Sequence, residues 1–350
     1  MRGTTIGRWL LRGLAIGAAL LAPLPYVDVA GPLPGIQAGT PIAGVGALAV
    51  AGWLAWRRDW WPSALSLVAA GLLAGPVVLP PARPDPGGVG AIGAAATSAG
   101  PSGGVFAATS EFRLMSLNVE FGRADPNAIV ALTIDRRIDV LILTEMTPGG
   151  WRRLEDAGLR RRFPNATGRT DTGASGTVIL SRLPFTCVDT VEGSPCGQVV
   201  TRPPDAPSYR LGDAPATFDL PSVRLADGTV VRGVHTRPPS FLRNDRWQHE
   251  QHDLRAWVDG LPAGARVVLA GDYNASPSHP AFRRLADGLA RAPHTGFPWT
   301  RTWPEGARVP ALIQIDHILS RGFAVLEEGV DVVPNTDHAA VWAQLRAVSR

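Results

Sequence analysis

Hydrophobic and polar positions divide the chain into two regimes. Over residues 1–80 the apolar positions form three nearly unbroken runs, at about 9–27, 41–56 and 62–79. Each approaches the roughly 20 residues a helix needs to cross a bilayer, and the second is the shortest. The pattern predicts a helical transmembrane module of about three spans. A cleaved signal peptide is the rival reading of the first run; two further apolar runs and the lack of a clear small-x-small cleavage site weigh against it. Residues 81–110 hold Pro, Gly, Ala and Ser with almost no charge, the composition of a flexible linker that sets the next domain at some distance from the bilayer. From 111 to 350, short apolar runs alternate with amphipathic stretches. Strands are predicted at 112–119, 139–144, 176–180, 312–319, 324–333 and 339–345, and a hairpin at 223–225 and 229–234 turns on Ala226-Asp227-Gly228. Asp125-Pro126 and Thr147-Pro148 open helices as a cap followed by Pro at the first helical position; 244–258 and 280–286 are helical. Mixed elements over this length predict a layered α/β sandwich.

Charge refines the picture. All 34 basic residues are Arg, against 30 acidic residues. Residues 1–110 carry a net +3 and residues 111–350 only +1, so the second part lacks the cationic surplus usual in a duplex-DNA binder. Arg2, Arg8 and Arg12 lie at the first run, Arg57 and Arg58 between the second and third, and the loop at 28–40 has no basic residue. The positive-inside rule then puts the N-terminus inside and the chain after the third span outside. Trp53, Trp56, Trp60 and Trp61 cluster at the inner loop as an interfacial belt would. Outside the cytoplasm, Cys187 and Cys196 are expected to form a small-loop disulfide; inside, they are ordinary thiols.

Candidate chemistry gathers at predicted strand ends. Val267-Val-Leu-Ala-Gly-Asp-Tyr-Asn274 is a buried strand that runs into Gly271 and then presents Asp272 and Asn274 on one side. Asn118 and Glu120 close the first strand, Glu145 the second, and His235 the hairpin. Asp337-His338 precedes the last strand. Each alone is more often a turn residue. Asp316 is harder to dismiss: within Leu-Ile-Gln-Ile-Asp-His-Ile-Leu a buried carboxylate needs a partner, and histidine is the natural one.

The ordered set Leu-Asn118-Val-Glu120-Phe-Gly, Leu-Thr-Glu145, Gly-x-Val-Ile-Leu-Ser181-Arg182, Val-His235-Thr, Gly-Asp272-Tyr-Asn274, Ile-Asp316-His317-Ile-Leu and Thr-Asp337-His338 resembles the endonuclease/exonuclease/phosphatase (DNase I-like) superfamily. Three spans before it look like a membrane-bound bacterial branch with members linked to glycopeptide resistance. Thr336 and Tyr273 stand where Ser and Phe are common.

The resemblance implies a four-layered α/β/β/α sandwich over 111–350 and phosphate-ester hydrolysis with Mg²⁺ or Mn²⁺. It implies Glu145 as main metal ligand with Asn118, Glu120 and Asp337 around the ion, an oxygen set suited to a hard cation. Asp316 would orient His338; Asp272, held with Asn274, would align or deprotonate the attacking water; His235 would contact the phosphate or assist the leaving group. Arg237 and Trp303 are candidate substrate contacts. His317, on the other side of its strand from Asp316, is read as structural, and His249, His252, His279 and His294 as surface residues.

Together these expectations describe a phosphoesterase anchored in the bacterial inner membrane by a multi-pass module. Its catalytic domain would face the extracytoplasmic side and meet a phosphorylated lipid. An extracytoplasmic nuclease acting on nucleic-acid phosphodiesters is the alternative, and a catalytically dead scaffold a third reading.

Overall fold

The computed structural model describes residues 2–79, 111–189, 196–202, 210–211, 214–215, 218–239, 244–306 and 310–348. The linker at 81–110 and the Pro-rich loop at 205–209 lie outside the described residues. The N-terminal part folds as α1 (Arg2–Leu21), a 3-10 turn (Leu24–Tyr26), α2 (Leu33–Ala38), α3 (Thr40–Trp56) and α4 (Trp60–Val78). Two segments, Gly7–Tyr26 and Trp60–Val78, are long and apolar enough to cross a membrane; Thr40–Trp56 is a shorter apolar helix. Small residues let α3 and α4 approach closely, and a Cβ added at Gly44 would meet that of Ala74 at 3.1 Å. Ser63 and Ser66 donate across the pair to the Ala51 and Ala47 carbonyls at 2.8 Å. Pro76 has no N–H to offer the carbonyl of Leu72 one turn back. The Tyr26 hydroxyl supplies the missing donor at 3.0 Å. At the opposite end, buried Asp59 is held by Arg8 and Arg12 at 2.9 and 2.8 Å.

The second part runs β1 (Glu111–Asn118), α5 (Pro126–Asp135), β2 (Val140–Thr144), α6 (Pro148–Asp156), α7 (Leu159–Arg162), β3 (Asn165–Thr170), β4 (Thr177–Ser181), β5 (Phe185–Asp189) and β6 (Val199–Thr201). A small ribbon, β7 (Arg210–Leu211) and β8 (Ala214–Pro215), follows, then β9 (Ser222–Leu225), β10 (Val230–His235), α8 (Asn244–Gly260) and β11 (Val267–Asp272). The chain closes with α9 (Pro280–Ala286), β12 (Ala290–Ala292), β13 (Asp316–Arg321), β14 (Phe323–Val332) and β15 (Ala339–Ala347). One sheet has the order β14-β15-β1-β2-β4-β3-β6, the other β12-β13-β11-β10-β9-β5. The run expected at 312–319 enters its sheet only at Asp316, because Ile313 is taken by a bridge to Trp303. The strands β3, β5, β6 and β12 carry no strong alternation and were not expected.

Period-two alternation builds the four layers. Leu141 and Leu143 of β2 point to α5–α7, where Ile129, Leu154 and Phe163 pack. Val140 and Ile142 point to the other sheet, meeting Val231, Val268 and Ile318. On that sheet Val267 and Leu269 face α8 and α9, against Trp247, Leu254 and Phe282. The result is α/β/β/α, as expected. Asp125 caps α5 through the Asn127 and Ala128 N–H groups, and Thr147 caps α6 through that of Gly150. Cys187 and Cys196 are disulfide-bonded.

The contacts run against a distant tether. The segment joining α1 to α3 is bound to the sandwich through Arg283 Nη2 to the Pro25 carbonyl (2.6 Å), Gln248 to the Val29 carbonyl (3.0 Å) and Arg284 to Asp28 (2.9 Å), and the first residue of α3 through Thr40 to Ser278 (3.2 Å). His279 is central and buried, a correction to its reading as a surface residue. Its Nδ1 accepts from the Ser276 N–H at 2.8 Å, which leaves Nε2 to donate to the Pro34 carbonyl at 2.9 Å. The ring's cover comes from a segment far away in sequence, so nothing local marks it as buried.

Burial lowers the His279 pKa from 6.5 to about 4, so the folded protein holds it neutral. Its contribution to stability is complete above pH 6.5 and is lost as the pH falls toward 4, at up to about 1.4 kcal/mol per pH unit. Hydrogen exchange of residues 32–40 in the full chain is expected to accelerate between pH 6.5 and 4.5, corrected for intrinsic rates. In His279→Gln it should already be fast at neutral pH and less pH-dependent; identical profiles in the two proteins would refute the assignment.

Candidate active site

Two parallel strand pairs aim their C-terminal ends at one edge of the sandwich. In the first sheet Asn118 of β1 lies beside Thr144 of β2, with Glu145 next in the chain. In the second sheet His235, Asp272 and Asp316 sit side by side across β10, β11 and β13. The antiparallel β13 and β15 start where those strands stop, so Asp316 and His338 reach the same edge. Gly271 permits the close approach of β10 and β11: a Cβ there would lie 1.7 Å from the Val234 carbonyl oxygen.

Asp272 is the hub, at 1 % exposure. One oxygen accepts from the Asn274 N–H at 2.8 Å and the other from Asn118 Nδ2 at 3.1 Å. The second oxygen also lies 3.6 Å from His235 Nε2 and 3.8 Å from His338 Nε2. Burial raises the Asp272 pKa and the charge of Asp316 adds to this, against the two imidazoles. His338 Nδ1 contacts Asp316 Oδ2 at 3.0 Å. Burial opposes the ring's charge, but the carboxylates of Asp316 and Asp272 outweigh it and lift its pKa to about 10. His338 is therefore an imidazolium with Nε2 turned toward the site. His235 is stacked on Phe218 with centroids 4.4 Å apart, and burial lowers its pKa. One edge thus holds a charged and a neutral histidine on either side of one carboxylate.

Glu145 Oε1 accepts from Asn118 Nδ2 at 3.1 Å, and its other oxygen from the Phe121 N–H at 3.1 Å. The two residues form a compact oxygen-bearing pair beside Asp272. Glu120, Phe121, Glu145 and Asn274 all have positive φ, between 44° and 56°. Left-handed backbone at residues other than glycine costs energy, and its concentration here marks an edge shaped for chemistry.

Other candidates are placed differently. The Glu120 carboxylate turns to Arg123 at 2.6 Å. Asp337 accepts from the Trp303 indole at 3.0 Å and stands 3.8 Å from His338 Nε2. Trp303 thus buttresses Asp337. The Arg237 N–H donates to Glu250 of α8 at 2.7 Å and its guanidinium lies 3.9 Å from the same carboxylate. The Asn274 amide donates to the Thr236 carbonyl at 2.8 Å, tying the ends of β10 and β11 together. His317 is structural as read: Nε2 meets the Ala275 carbonyl at 2.9 Å and the ring packs on Phe282. Phe218 was missed, since it sits just ahead of β9 in no motif. A cleft of about 740 Å³ opens beside Asp337, lined by Glu120, Arg123, Arg153 and Glu305; its arginines were also missed, unmarked in an Arg-rich chain.

Two groups present metal-type ligands. Asp272, Asp316 and His338 bring ligand atoms within 4.8 Å of one another. An imidazolium cannot ligate, so that group fits a cation poorly while His338 keeps its proton. Glu145 and Asp272 offer carboxylate oxygens, the donor chemistry of a hard divalent ion, while Asn118 turns Nδ2 to both and its Oδ1, which accepts from the Glu120 N–H at 3.0 Å, keeps one lone pair.

A carboxylate flanked by two histidines and an acid–amide pair, at the strand ends of a double-sheet sandwich, defines a phosphoesterase-type hydrolase. The sequence profile described as Endonuclease/Exonuclease/phosphatase family matches residues 115–338, and the chain belongs to that family. No curated protein matches the sequence. Among solved structures, the endonuclease/exonuclease/phosphatase from Bacteroides vulgatus aligns at 14% identity and TM-score 0.50, covering 68% of this chain and 100% of its own. Sphingomyelinase C from Streptomyces griseocarneus aligns at 16% and 0.46, covering 67% and 99%. A beta toxin from Staphylococcus aureus with bound magnesium ions aligns at 14% and 0.46, covering 67% and 99%. The likeness to the Bacteroides vulgatus protein shows the DNase I-like fold.

In the metal-free full chain, histidine-labelled NMR is expected to find His338 titrating far above 6.5. Asp316→Asn should lower that titration by more than one pH unit, or about 1.4 kcal/mol. The stability this pair contributes is complete below pH 6.5 and lost as the pH rises through about 10. Titration near 6.5 in both proteins would remove Asp316 from this role.

Proposed function

We propose that the protein is a membrane-anchored, metal-dependent phosphoesterase that acts outside the cytoplasmic membrane on a lipid-linked phosphate ester or pyrophosphate. One observation carries the lipid part. The loop that leaves Asp272 and Asn274 runs directly into Ser278, His279 and Arg283, and these grip the segment joining the apolar helices. The site is thereby held beside the module that would lie in the bilayer.

Residues 1–80 are the anchor, with α1, α3 and α4 as three spans. Support comes from the apolar side chains that α1, α3 and α4 expose, among them Leu10, Leu14, Leu48, Leu67 and Val68. The disulfide suits an oxidising compartment, as the charge-derived orientation requires. The near-neutral sandwich favours a lipid phosphate over a nucleic-acid backbone.

In the chemistry, as the water oxygen bonds to phosphorus the bond from phosphorus to the leaving-group oxygen breaks and that oxygen takes a proton from solvent, while Asp272 receives the proton of the attacking water. Its burial raises its basicity, and Asn274 and Asn118 fix its two oxygens. His338, kept charged by Asp316, hydrogen-bonds through Nε2 to a non-bridging phosphate oxygen and stabilises the charge gathering there. His235, neutral and fixed by Phe218, is placed against the phosphate on the leaving-group side. Glu145 and Asn118, with Glu120 and Asp337 as outer candidates, would hold Mg²⁺ or Mn²⁺. The ion, when bound, supplies charge neutralisation at the phosphoryl oxygens. Arg123 and Arg153 in the cleft are better placed than Arg237 to receive further anionic groups of the substrate.

Full-length protein in lipid nanodiscs, supplied with Mg²⁺ or Mn²⁺, should release phosphate or head group from a prenyl pyrophosphate or a phospholipid. Asp272→Ala should lower the rate by about 10²–10⁴-fold. A chelator should silence the enzyme, and the metal should restore it. DNA cleavage with no lipid turnover would replace this reading with a tethered nuclease. Thiol labelling of intact protein is expected to find Cys187 and Cys196 only after reduction; labelling without reductant would count against the extracytoplasmic placement.

A further inference from the structure

A second anionic site lies at the seam between the helical module and the sandwich, away from the catalytic edge. A cavity of about 300 Å³ is walled by Tyr26, Pro76 and Leu79 on one side and by Arg283, Leu289 and Arg291 on the other. Arg283 is committed to structure: it donates to the Pro25 and Pro277 carbonyls at 2.6 Å and lies over the Tyr26 ring. Arg291 is not. It is 8 % exposed, and its Nε donates to His294 Nε2 at 3.2 Å. Among the described residues its terminal nitrogens make no hydrogen bond. Asp287 lines the rim and Glu328 accepts from the His294 N–H at 2.8 Å, but neither is bonded to Arg291.

A buried guanidinium is costly without an anion to meet it. Burial, with the like charge of Arg283 adding to it, outweighs the Glu328 carboxylate and lowers the Arg291 pKa to about 10. A guanidinium offers the planar donor fork that phosphate oxygens match.

We infer that this seam binds a phosphate anion, and that its source is the head group of an anionic phospholipid. The cavity favours the lipid source because its other wall is the end of α4: Pro76 and Leu79 are apolar and continue the exposed face of that helix, along which an acyl chain can lie. A zwitterionic head group would bring its ammonium beside two arginines. The inference rests on the reading of α1, α3 and α4 as membrane spans. Such a lipid would tighten the module against the sandwich.

The test uses full-length protein in phosphatidylcholine nanodiscs with and without phosphatidylglycerol, with retained lipid read by native mass spectrometry and stability by thermal melting. Phosphatidylglycerol is expected to be retained about tenfold over phosphatidylcholine, the scale of one charge-assisted hydrogen bond, and to raise the melting temperature. Arg291→Gln should abolish both effects. Ala286→Trp, which fills the cavity from its rim and leaves the charge in place, should do the same, so a folding defect in one variant does not decide the matter. A second arm adds inorganic phosphate to detergent-solubilised protein. Stabilisation by phosphate that needs Arg291, with no lipid preference in nanodiscs, would overturn the lipid source and assign a soluble phosphate. No preference, no phosphate effect and no difference among the three proteins would overturn the site itself. Carbonate extraction of native membranes separately reads the spans: release of the chain would sink the membrane reading while the phosphate arm still reports on the cavity.

Discussion

Two carboxylates stand next to each other, across one strand register, where water scarcely reaches. Asp272 and Asp316 are paired residues of β11 and β13, each at 1 % exposure. Side by side and ionised, they would repel strongly in so dry a place. One cation resolves the conflict: His338 bonds Asp316 through one ring nitrogen and faces Asp272 with the other. The remaining features of the edge follow from it. Asn118 and Asn274 donate to Asp272 because a buried carboxylate needs its lone pairs satisfied. His235 stays neutral because burial disfavours its charged form more than nearby Asp272 favours it. Topology makes this possible, since parallel pairs end and antiparallel strands begin at the same edge.

The same stretch that ends β11 also connects the site to the helical module. After Asn274 the chain turns through Ser276 and Ser278 to His279 and Arg283, which bond to the loop between α1 and α3. Catalytic edge and helical module are therefore joined by the short hydrogen-bonded stretch from Asn274 to Arg283. At the seam the Tyr26 hydroxyl meets the carbonyl freed by Pro76, and Arg283 lies over the Tyr26 ring.

Much of this was legible in one dimension, because the physics behind it is local. Apolar run length located α1, α3 and α4, and period-two alternation located the central strands of both sheets. Pro after Asp or Thr located the starts of α5 and α6. A charge inside the apolar run at Asp316 foretold a partner, and His338 is that partner. Short edge strands such as β6 and β12 escaped because three residues carry no period.

What the sequence by itself determined was the inventory: which segments bury themselves, which residues carry charge at strand ends, and the order of motifs that marks the family. Those depend on neighbours one to four residues apart. Tertiary structure alone decided who meets whom. It turned Glu120 to Arg123 and Arg237 to Glu250, set Trp303 behind Asp337, and placed Phe218 under His235. It buried His279 beneath a segment from the chain's other end, and left Arg291 facing a cavity between two units. Burial and electrostatic pairing are properties of spatial neighbourhood, and a histidine's or arginine's charge state follows from the groups that fold around it.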